Sequence, residues 1–175
     1  MPDSTKTLLL VRHAQAAWQD AGAADRHRPL DLHGEQQAAR LRQWAAASAR
    51  RPGLIVSSPA VHAADTARAL AEGFALPPGC VVTDERLYHG SAHAWAQLLD
   101  GLDDSRDCAV LVAHNPQVSD LCRHFWPAID YLPTGGVAEL QFRTDRWAGL
   151  LARRAQAGRL PMGPAAGLPA RVLQA

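Results

Sequence analysis

Apolar residues recur in short uninterrupted runs, separated by segments of helical spacing. Leu8-Leu9-Leu10-Val11 is one such run. With no polar alternation it predicts a strand buried on both faces, at residues 7–12, as in the middle of a parallel sheet. Ala109-Val110-Leu111-Val112-Ala113 has the same form. Leu54-Ile55-Val56 is shorter and Val81-Val82 weaker. A polar stretch from Ala16 to His33 reads as a loop, long enough to line a site. From Gly34 to Ala49 the pattern is helical, with Leu41 and Trp44 flanked by Ala38 and Ala45, and Arg50-Arg51-Pro52-Gly53 stops it. Ser58 is placed as the N-cap and Pro59 in the first turn of a helix from about Ala60 to Gly73, whose inner face carries Ala63, Thr66, Ala67, Leu70 and Phe74. Pro77-Pro78-Gly79 breaks the chain. Further helices are predicted over residues 91–101, burying Trp95, Leu98 and Leu99, and 117–125, burying Val118, Leu121 and Cys122. Gly135-Gly136 precedes a strand at 137–142, in which Val137, Glu139 and Gln141 alternate with Ala138, Leu140 and Phe142. Thr144-Asp145-Arg146 predicts a turn into a last strand near 150–155, and the Gly-, Pro- and Ala-rich chain from Ala157 predicts a loosely packed tail. Strands alternating with helices give an α/β sandwich with a mostly parallel sheet. No internal boundary shows, so residues 1–175 are taken as one domain with its core at about 7–155.

Composition narrows the class. At 175 residues the chain can bury a sizeable core, and 47% hydrophobic with 20% charged residues is ordinary for a soluble protein. A net charge of +1 argues against a general nucleic-acid or membrane surface. Cys80, Cys108 and Cys122 are odd in number and lack C-x-x-C spacing, which points to a reducing compartment and no structural zinc. With no secretory leader pattern and no long apolar run, a cytoplasmic location is expected.

Chemistry collects at strand ends. Loops after parallel strands lie at the carboxyl edge of the sheet, where such folds bind ligands. Arg12-His13 follows the first strand, Ser57-Ser58-Pro59 the second, and His114-Asn115-Pro116 the strand at 109–113. Arginine offers a planar fork matched to a phosphoryl group, and neutral histidine can act as a nucleophile. The last two of these segments open helices, whose free N–H groups favour an anion. Together they predict a phosphoryl pocket. Competing nucleotide, zinc-protease and serine-hydrolase motifs do not occur in the chain.

These residues resemble a known family. Arg12-His13-Ala14 is similar to the R-H-G/A signature of the histidine phosphatase superfamily. The segment from Ser58 to Ala67 resembles its S-P-x-x-R-A-x-x-T-A pattern, and Val112-Ala113-His114-Asn115-Pro116 its V-x-H-N-P pattern. Arg28-Pro29-Leu30-Asp31-Leu32-His33-Gly34 and Thr134-Gly135-Gly136-Val137 resemble stretches of the short branch typified by the phosphohistidine phosphatase SixA. The resemblance covers about residues 7–155 and implies a three-layer α/β/α sandwich of the phosphoglycerate mutase type. It implies that His13 becomes a phosphohistidine, that Arg12 binds equatorial oxygens, and that a protonated His114 stabilises charge, with no metal and no cofactor. Arg28, His62 and Asn115 are the further phosphate-binding candidates. Glu85, or else Asp84, is the candidate general acid, needed for an ester but less so for a leaving imidazole.

One residue departs from the pattern: His62 stands where the family has its second arginine. A five-donor permanent cation is thereby exchanged for an imidazole with one or two donors. Three readings remain open. A phosphohistidine-bearing protein is the expected substrate. A small phosphate ester is the alternative, and the third is an impaired relative that binds phosphate or a phosphoprotein without turnover. A weaker possibility is metal capture by His13, His62 and His114. His89 and His93 are four apart, but Gly90-Ser91 between them marks a junction rather than a metal-binding helix face. His27, His33 and His124 fit surface or loop positions. The tryptophans fit the core, apart from Trp18, which is placed to wall the pocket. The arginines of 146–159 fit a solvated face.

Overall fold

Leu8, Leu9, Leu10 and Val11 are wholly buried. They form the centre of β1 (Thr5–Arg12) in a computed structural model that describes residues 4–18 and 24–163. Next come α1 (Leu32–Ala47), β2 (Leu54–Ser57), α2 (Val61–Gly73) and β3 (Val81–Thr83). The chain continues through α3 (Arg86–His89), α4 (Ala92–Asp100), β4 (Cys108–Ala113), α5 (Gln117–Phe125), β5 (Val137–Arg143) and β6 (Ala157–Met162). The six strands form one sheet in the order β3-β2-β4-β1-β5-β6. β1, β2, β3 and β4 pair in parallel, while β5 runs antiparallel to both β1 and β6.

Alternation along the strands divides the core in two. Leu8 and Leu10 face α4 and α5, packing with Trp95, Leu98, Val118, Leu121 and Phe125. Leu9 and Val11 face α1 and α2, packing with Leu41, Ala45, Ala63, Ala67 and Leu70. Each leucine so buried contributes about 1.5–3 kcal/mol. The protein is therefore an α/β/α sandwich with a mostly parallel sheet. No described helix is long and apolar enough to cross a membrane.

Several boundaries differ from the sequence expectation, each for a local reason. α1 starts at Leu32, because Asp31 caps it by accepting the Gly34 N–H at 2.7 Å. Ser58 is not the cap of α2. Ala60 holds that position without a side-chain bond, while the Ser58 hydroxyl receives the Ala60 N–H. The expected strand near 150–155 is instead a 3-10 turn, Leu150–Ala152, entered through Gly149 at φ +75° with Leu150 wholly buried. The last strand comes later, as β6, in what read as tail. Pro161 is tolerated there because β6 is an edge strand. Gly158 is required because a Cβ would meet the Trp126 ring at 2.6 Å. The rest of the expected tail, residues 164–175, lies outside the described residues. Glu139 alternates as predicted but does not face solvent. It is buried, and Arg50 and Arg159 both bond its carboxylate. Burial pushes this acid up, yet the two guanidiniums hold it below its ordinary value.

The polar loop before α1 is tied to the end of β1. The Ala17 N–H donates to the Pro29 carbonyl at 2.8 Å, and the Asp31 N–H to the Gln15 carbonyl at 3.1 Å. Gly34 makes this closure possible, since a Cβ there would lie 2.0 Å from the Gln15 carbonyl oxygen. In an exposed helix, Gly→Ala gains about 1 kcal/mol. Here overpacking against backbone reverses the sign. Gly34→Ala is expected to lower unfolding stability by about 1–3 kcal/mol, read from the urea midpoint. An equal or higher midpoint would show that the loop is not held against α1.

Candidate active site

Parallel pairing of β1 with β4 places Arg12 opposite Ala113. The next residues, His13 and His114, therefore leave the sheet side by side. The backbone of His13 is fixed from several directions. Its N–H donates to the Ala113 carbonyl at 3.0 Å, and its carbonyl accepts from the Gly135 N–H at 3.1 Å. The Arg12 N–H donates to the Gly136 carbonyl at 3.1 Å. Gly135 reaches this position at φ +67°, a region in which glycine alone is unstrained. On the other side, the Ala14 N–H donates to the Thr66 hydroxyl at 3.0 Å, which in turn donates to the His62 carbonyl at 2.7 Å. One turn of α2 is thus bolted to the exit of β1.

Three imidazoles meet there. Ring centroids are 4.3 Å apart for His13 and His62, 4.7 Å for His13 and His114, and 5.2 Å for His62 and His114. The Nδ1–H of His13 donates to the Ala14 carbonyl at 2.7 Å, which leaves its Nε2 lone pair free. The Nδ1–H of His62 donates to the Arg28 carbonyl at 3.0 Å, and its Nε2 is buried without a partner among the described residues. His114 Nε2 lies 2.7 Å from the Ser58 hydroxyl. Burial pushes the His13 pKa down to about 3, with His62 reinforcing it against the Ala14 carbonyl, which pulls it up. Burial likewise pushes His114 to about 4. It lowers His62 too, more than the Arg28 carbonyl raises it. All three rings are therefore neutral near pH 7. The expectation of a protonated His114 is corrected for this arrangement, because burial outweighs any nearby negative charge.

The other candidates separate. Arg12 is at the centre: NH1 donates to the Tyr131 hydroxyl at 2.5 Å and the Leu132 carbonyl at 3.3 Å, while its Nε is buried without an acceptor. Arg28 lies beside His62, its Nε 3.1 Å from the Asp25 carboxylate. Asn115 uses one of its two amide N–H donors within the protein, which leaves the second for an anion. Its amide donates to the Leu132 carbonyl and accepts from Ser119, which fixes the 131–133 segment. Glu85 is not aimed at a leaving group either, since both its oxygens accept from Arg26. Asp84 is held by Arg86, which keeps its carboxyl below the usual range. Trp18 is 88% exposed and walls nothing.

Four residues of the site escaped the sequence reading: Ser58 as the partner of His114, Thr66 as the bolt, Tyr131 on Arg12, and Tyr88, whose ring lies 5.3 Å from that of His114. Thr66 and Ser58 left a signal, as hydroxyls in otherwise apolar or strand-end positions. Tyr131 and Tyr88 left none, because they arrive through tertiary contacts. As for metals, one ring nitrogen from each of His13, His62 and His114 lies within 4.8 Å of the others. His89 and His93 sit on separate helices, α3 and α4, as the junction between them implied.

With this geometry in place, comparison with known proteins is informative. A family model for the histidine phosphatase superfamily, branch 1, matches residues 8–100. The solved structure of a protein assigned as the phosphohistidine phosphatase SixA of Nakamurella multipartitia aligns with a TM-score of 0.74 at 21% identity, covering 93% of this chain and 96% of that one. One so assigned from Agrobacterium tumefaciens gives a TM-score of 0.71 at 25% identity, covering 89% and 94%. An uncharacterized chloroplastic protein of Arabidopsis thaliana is 35% identical over 66 residues, 38% of this chain and 30% of that protein. The match thus spans under a third of this curated relative.

Burying neutral histidines makes stability pH-dependent. Their ordinary value is 6.5, whereas in the folded chain His13 takes a proton only near 3 and His114 near 4. Between these values the unfolded chain carries more protons, so stability falls as pH falls. The slope is up to about 1.4 kcal/mol per pH unit for each histidine. The carboxylates held low, Asp31, Asp84 and Glu139, lose their contributions only below their ordinary values of 3.8 to 4.5. Denaturant unfolding between pH 6.5 and about 5.5, a full unit above the highest of these carboxylate values, therefore isolates the histidines. His114→Gln is expected to flatten the slope in that window; an unchanged slope would assign the acid sensitivity elsewhere.

Proposed function

The chain belongs to the histidine phosphatase superfamily, and on that premise we propose that it is a phosphatase with His13 as nucleophile and a phosphohistidine-bearing protein as substrate. The observation that carries this reading is the state of His13. Its imidazole is neutral, its Nδ1–H is fixed on the Ala14 carbonyl, and its Nε2 lone pair stands beside His62, His114 and Arg12. A nucleophile needs that lone pair, and the fixed tautomer supplies it without a base.

In the first step, Nε2 attacks phosphorus in line. The Nε2–P bond forms as the donor N–P bond breaks. The electron pair stays on the donor imidazole, which takes up a proton from solvent. In the second step a water oxygen attacks phosphorus, the P–Nε2 bond breaks, and the pair returns to His13. The water's protons pass to solvent and the departing phosphate. Arg12 provides guanidinium donors for the equatorial oxygens, and its unpartnered Nε is a donor that an anion would satisfy. The helix starts of α2 and α5 add N–H groups of the same sense. A dianion beside His62 and His114 raises their pKa values, so these rings gain charge as the phosphoryl group arrives.

The ester alternative needs a carboxylic acid at the leaving oxygen. Glu85 and Asp84 are both engaged by arginines, which favours the N–P substrate. Free thiols at Cys80, Cys108 and Cys122 fit action in a reducing compartment.

Phosphate release from a phosphohistidine-bearing protein should fall by about 10³-fold or more in His13→Ala, with an aryl phosphate turned over poorly by both. Turnover of the aryl phosphate alone would move the reading to small esters. Binding without turnover of either would move it to a phosphate receptor. A second test concerns His62. Inhibition by tungstate, a dianion at neutral pH, should weaken with rising pH in wild type, as the protons that the bound anion draws onto His62 and His114 are lost, and weaken less steeply in His62→Arg, where one of the two rings no longer titrates. Parallel profiles would remove His62 from the anion site.

A further inference from the structure

We propose that His13, His62 and His114 together capture one Zn2+ ion, and that the captured ion switches the enzyme off. The binding stands on geometry alone; its effect on turnover rests on the phosphatase reading.

Three residues far apart in sequence bring one ring nitrogen each to within 4.8 Å of one another. Zinc holds imidazole nitrogens at about 2.0–2.1 Å, so small ring rotations close the remaining gap. The outer hydrogen bonds are those of metal-binding histidines, in which the non-ligating N–H is donated to a protein oxygen. His13 donates to the Ala14 carbonyl and His62 to the Arg28 carbonyl. A carbonyl can only accept, so both Nε2 atoms carry lone pairs. His114 Nε2 lies 2.7 Å from the Ser58 hydroxyl, and in the tautomer in which the ring donates to that hydroxyl its Nδ1 keeps a lone pair. All three rings then ligate without losing a proton.

His62 Nε2 supplies a further observation. It is a polar atom on a wholly buried side chain, with no hydrogen-bond partner among the described residues. Such atoms are rare, because leaving them unmade is costly. A metal satisfies it. An arginine at this position could not, so the site exists because His62 replaces one. The donor set is three imidazole nitrogens without the hard oxygen ligands that magnesium and calcium take, which leaves the borderline-soft ions that imidazole suits, while Arg12 and Arg28 oppose every dication alike. Three protein ligands leave a fourth position open, as in catalytic zinc sites. Bound zinc nevertheless stops phosphoryl transfer, because it takes the His13 Nε2 lone pair that must attack phosphorus.

The test uses Co2+, whose visible absorption is intense in four- or five-coordinate sites and weak in octahedral ones. The chelator-treated full chain should bind one Co2+ with the intense band, and Zn2+ should displace it. His62→Gln and His114→Gln, each checked for folding by a thermal melt, should lose the band; two variants guard against one that fails to fold. His89→Ala and His93→Ala, in the exposed pair on α3 and α4, should keep it. Zn2+ should abolish phosphate release with the same concentration dependence as its binding. A weak octahedral spectrum, a band that survives in folded His62→Gln, or a band lost in His93→Ala overturns the proposal. The two readings fail separately. An intense band in a chain that hydrolyses no phosphorylated substrate sinks the phosphatase and leaves the metal site, and turnover with no band does the reverse.

Discussion

Val11 lies opposite Val112 and Arg12 opposite Ala113, and the two strands run in the same direction. Everything chemical follows from that register. Neighbouring strands are about 4.8 Å apart, so histidines that follow paired residues are stacked at that spacing without any further device. The observed separation of the His13 and His114 rings is 4.7 Å. A slip of one residue would shift them by about 3.3 Å and turn one ring to the other face of the sheet. Apolar contacts guard this register weakly, because β1 and β4 are buried on both faces and every position accepts an aliphatic side chain. Directional bonds at the strand ends do more. Lys6 is buried and bonds the Asp107 carboxylate at 2.7 Å, and the Thr7 N–H donates to the Asp107 carbonyl at 2.8 Å. At the other end the His13 N–H meets the Ala113 carbonyl. A buried ammonium gains little net stability, but its bonds to the Asp107 carboxylate and the Asp104 carbonyl are directional, which apolar contacts are not.

The same burial that frees the nucleophile removes charge from its helpers. His13 must be unprotonated to attack, and a dry pocket ensures it. The pocket cannot distinguish one imidazole from another, so His62 and His114 lose their protons too. Fixed positive charge is left to the arginines. Arg12 sits at the strand end, between the Tyr131 hydroxyl and the Leu132 carbonyl. Arg28 arrives on the loop that Gln15 and Pro29 tie to β1. Charge on the histidines is drawn in by the ligand itself, which makes affinity and protonation a single equilibrium rather than two.

How much of this was visible in the sequence depended on the range of the interactions involved. Local patterns were readable. Four aliphatic residues in succession marked β1, and 3–4 spacing marked the inner face of α2, where Ala63, Thr66, Ala67 and Leu70 are indeed buried. Strand ends located Arg12, His13 and His114, because in a parallel sheet position along a strand is position in the site. Where a partner lay far along the chain, the reading failed. Asn115 has the composition of a phosphate donor, and nothing in the sequence signals that Leu132 and Ser119 also draw on its amide. Glu85 has the composition of an acid, but Arg26 occupies it across 59 residues of sequence. β6 hid behind Gly158 and Pro161, which read as breakers because nothing local shows that Trp126 packs on the one and that the other lies at a sheet edge.

His62 is the one site residue whose type changes what the pocket is. It is not simply a weaker arginine. Its Nδ1–H is used to hold the Arg28 carbonyl, which couples α2 to the loop that brings Arg28 itself. What remains for the pocket is a single buried nitrogen, and that nitrogen has two opposite uses. Protonated, it is a donor to a phosphoryl oxygen. Unprotonated, it is a ligand to a metal. Both uses draw on one lone pair, so a proton and a metal ion compete for it, and the anion sides with the proton. An arginine, always charged, would allow only the first. The departure at position 62 therefore exchanges a fixed anion clamp for a site whose occupant depends on pH and on which ligand is present.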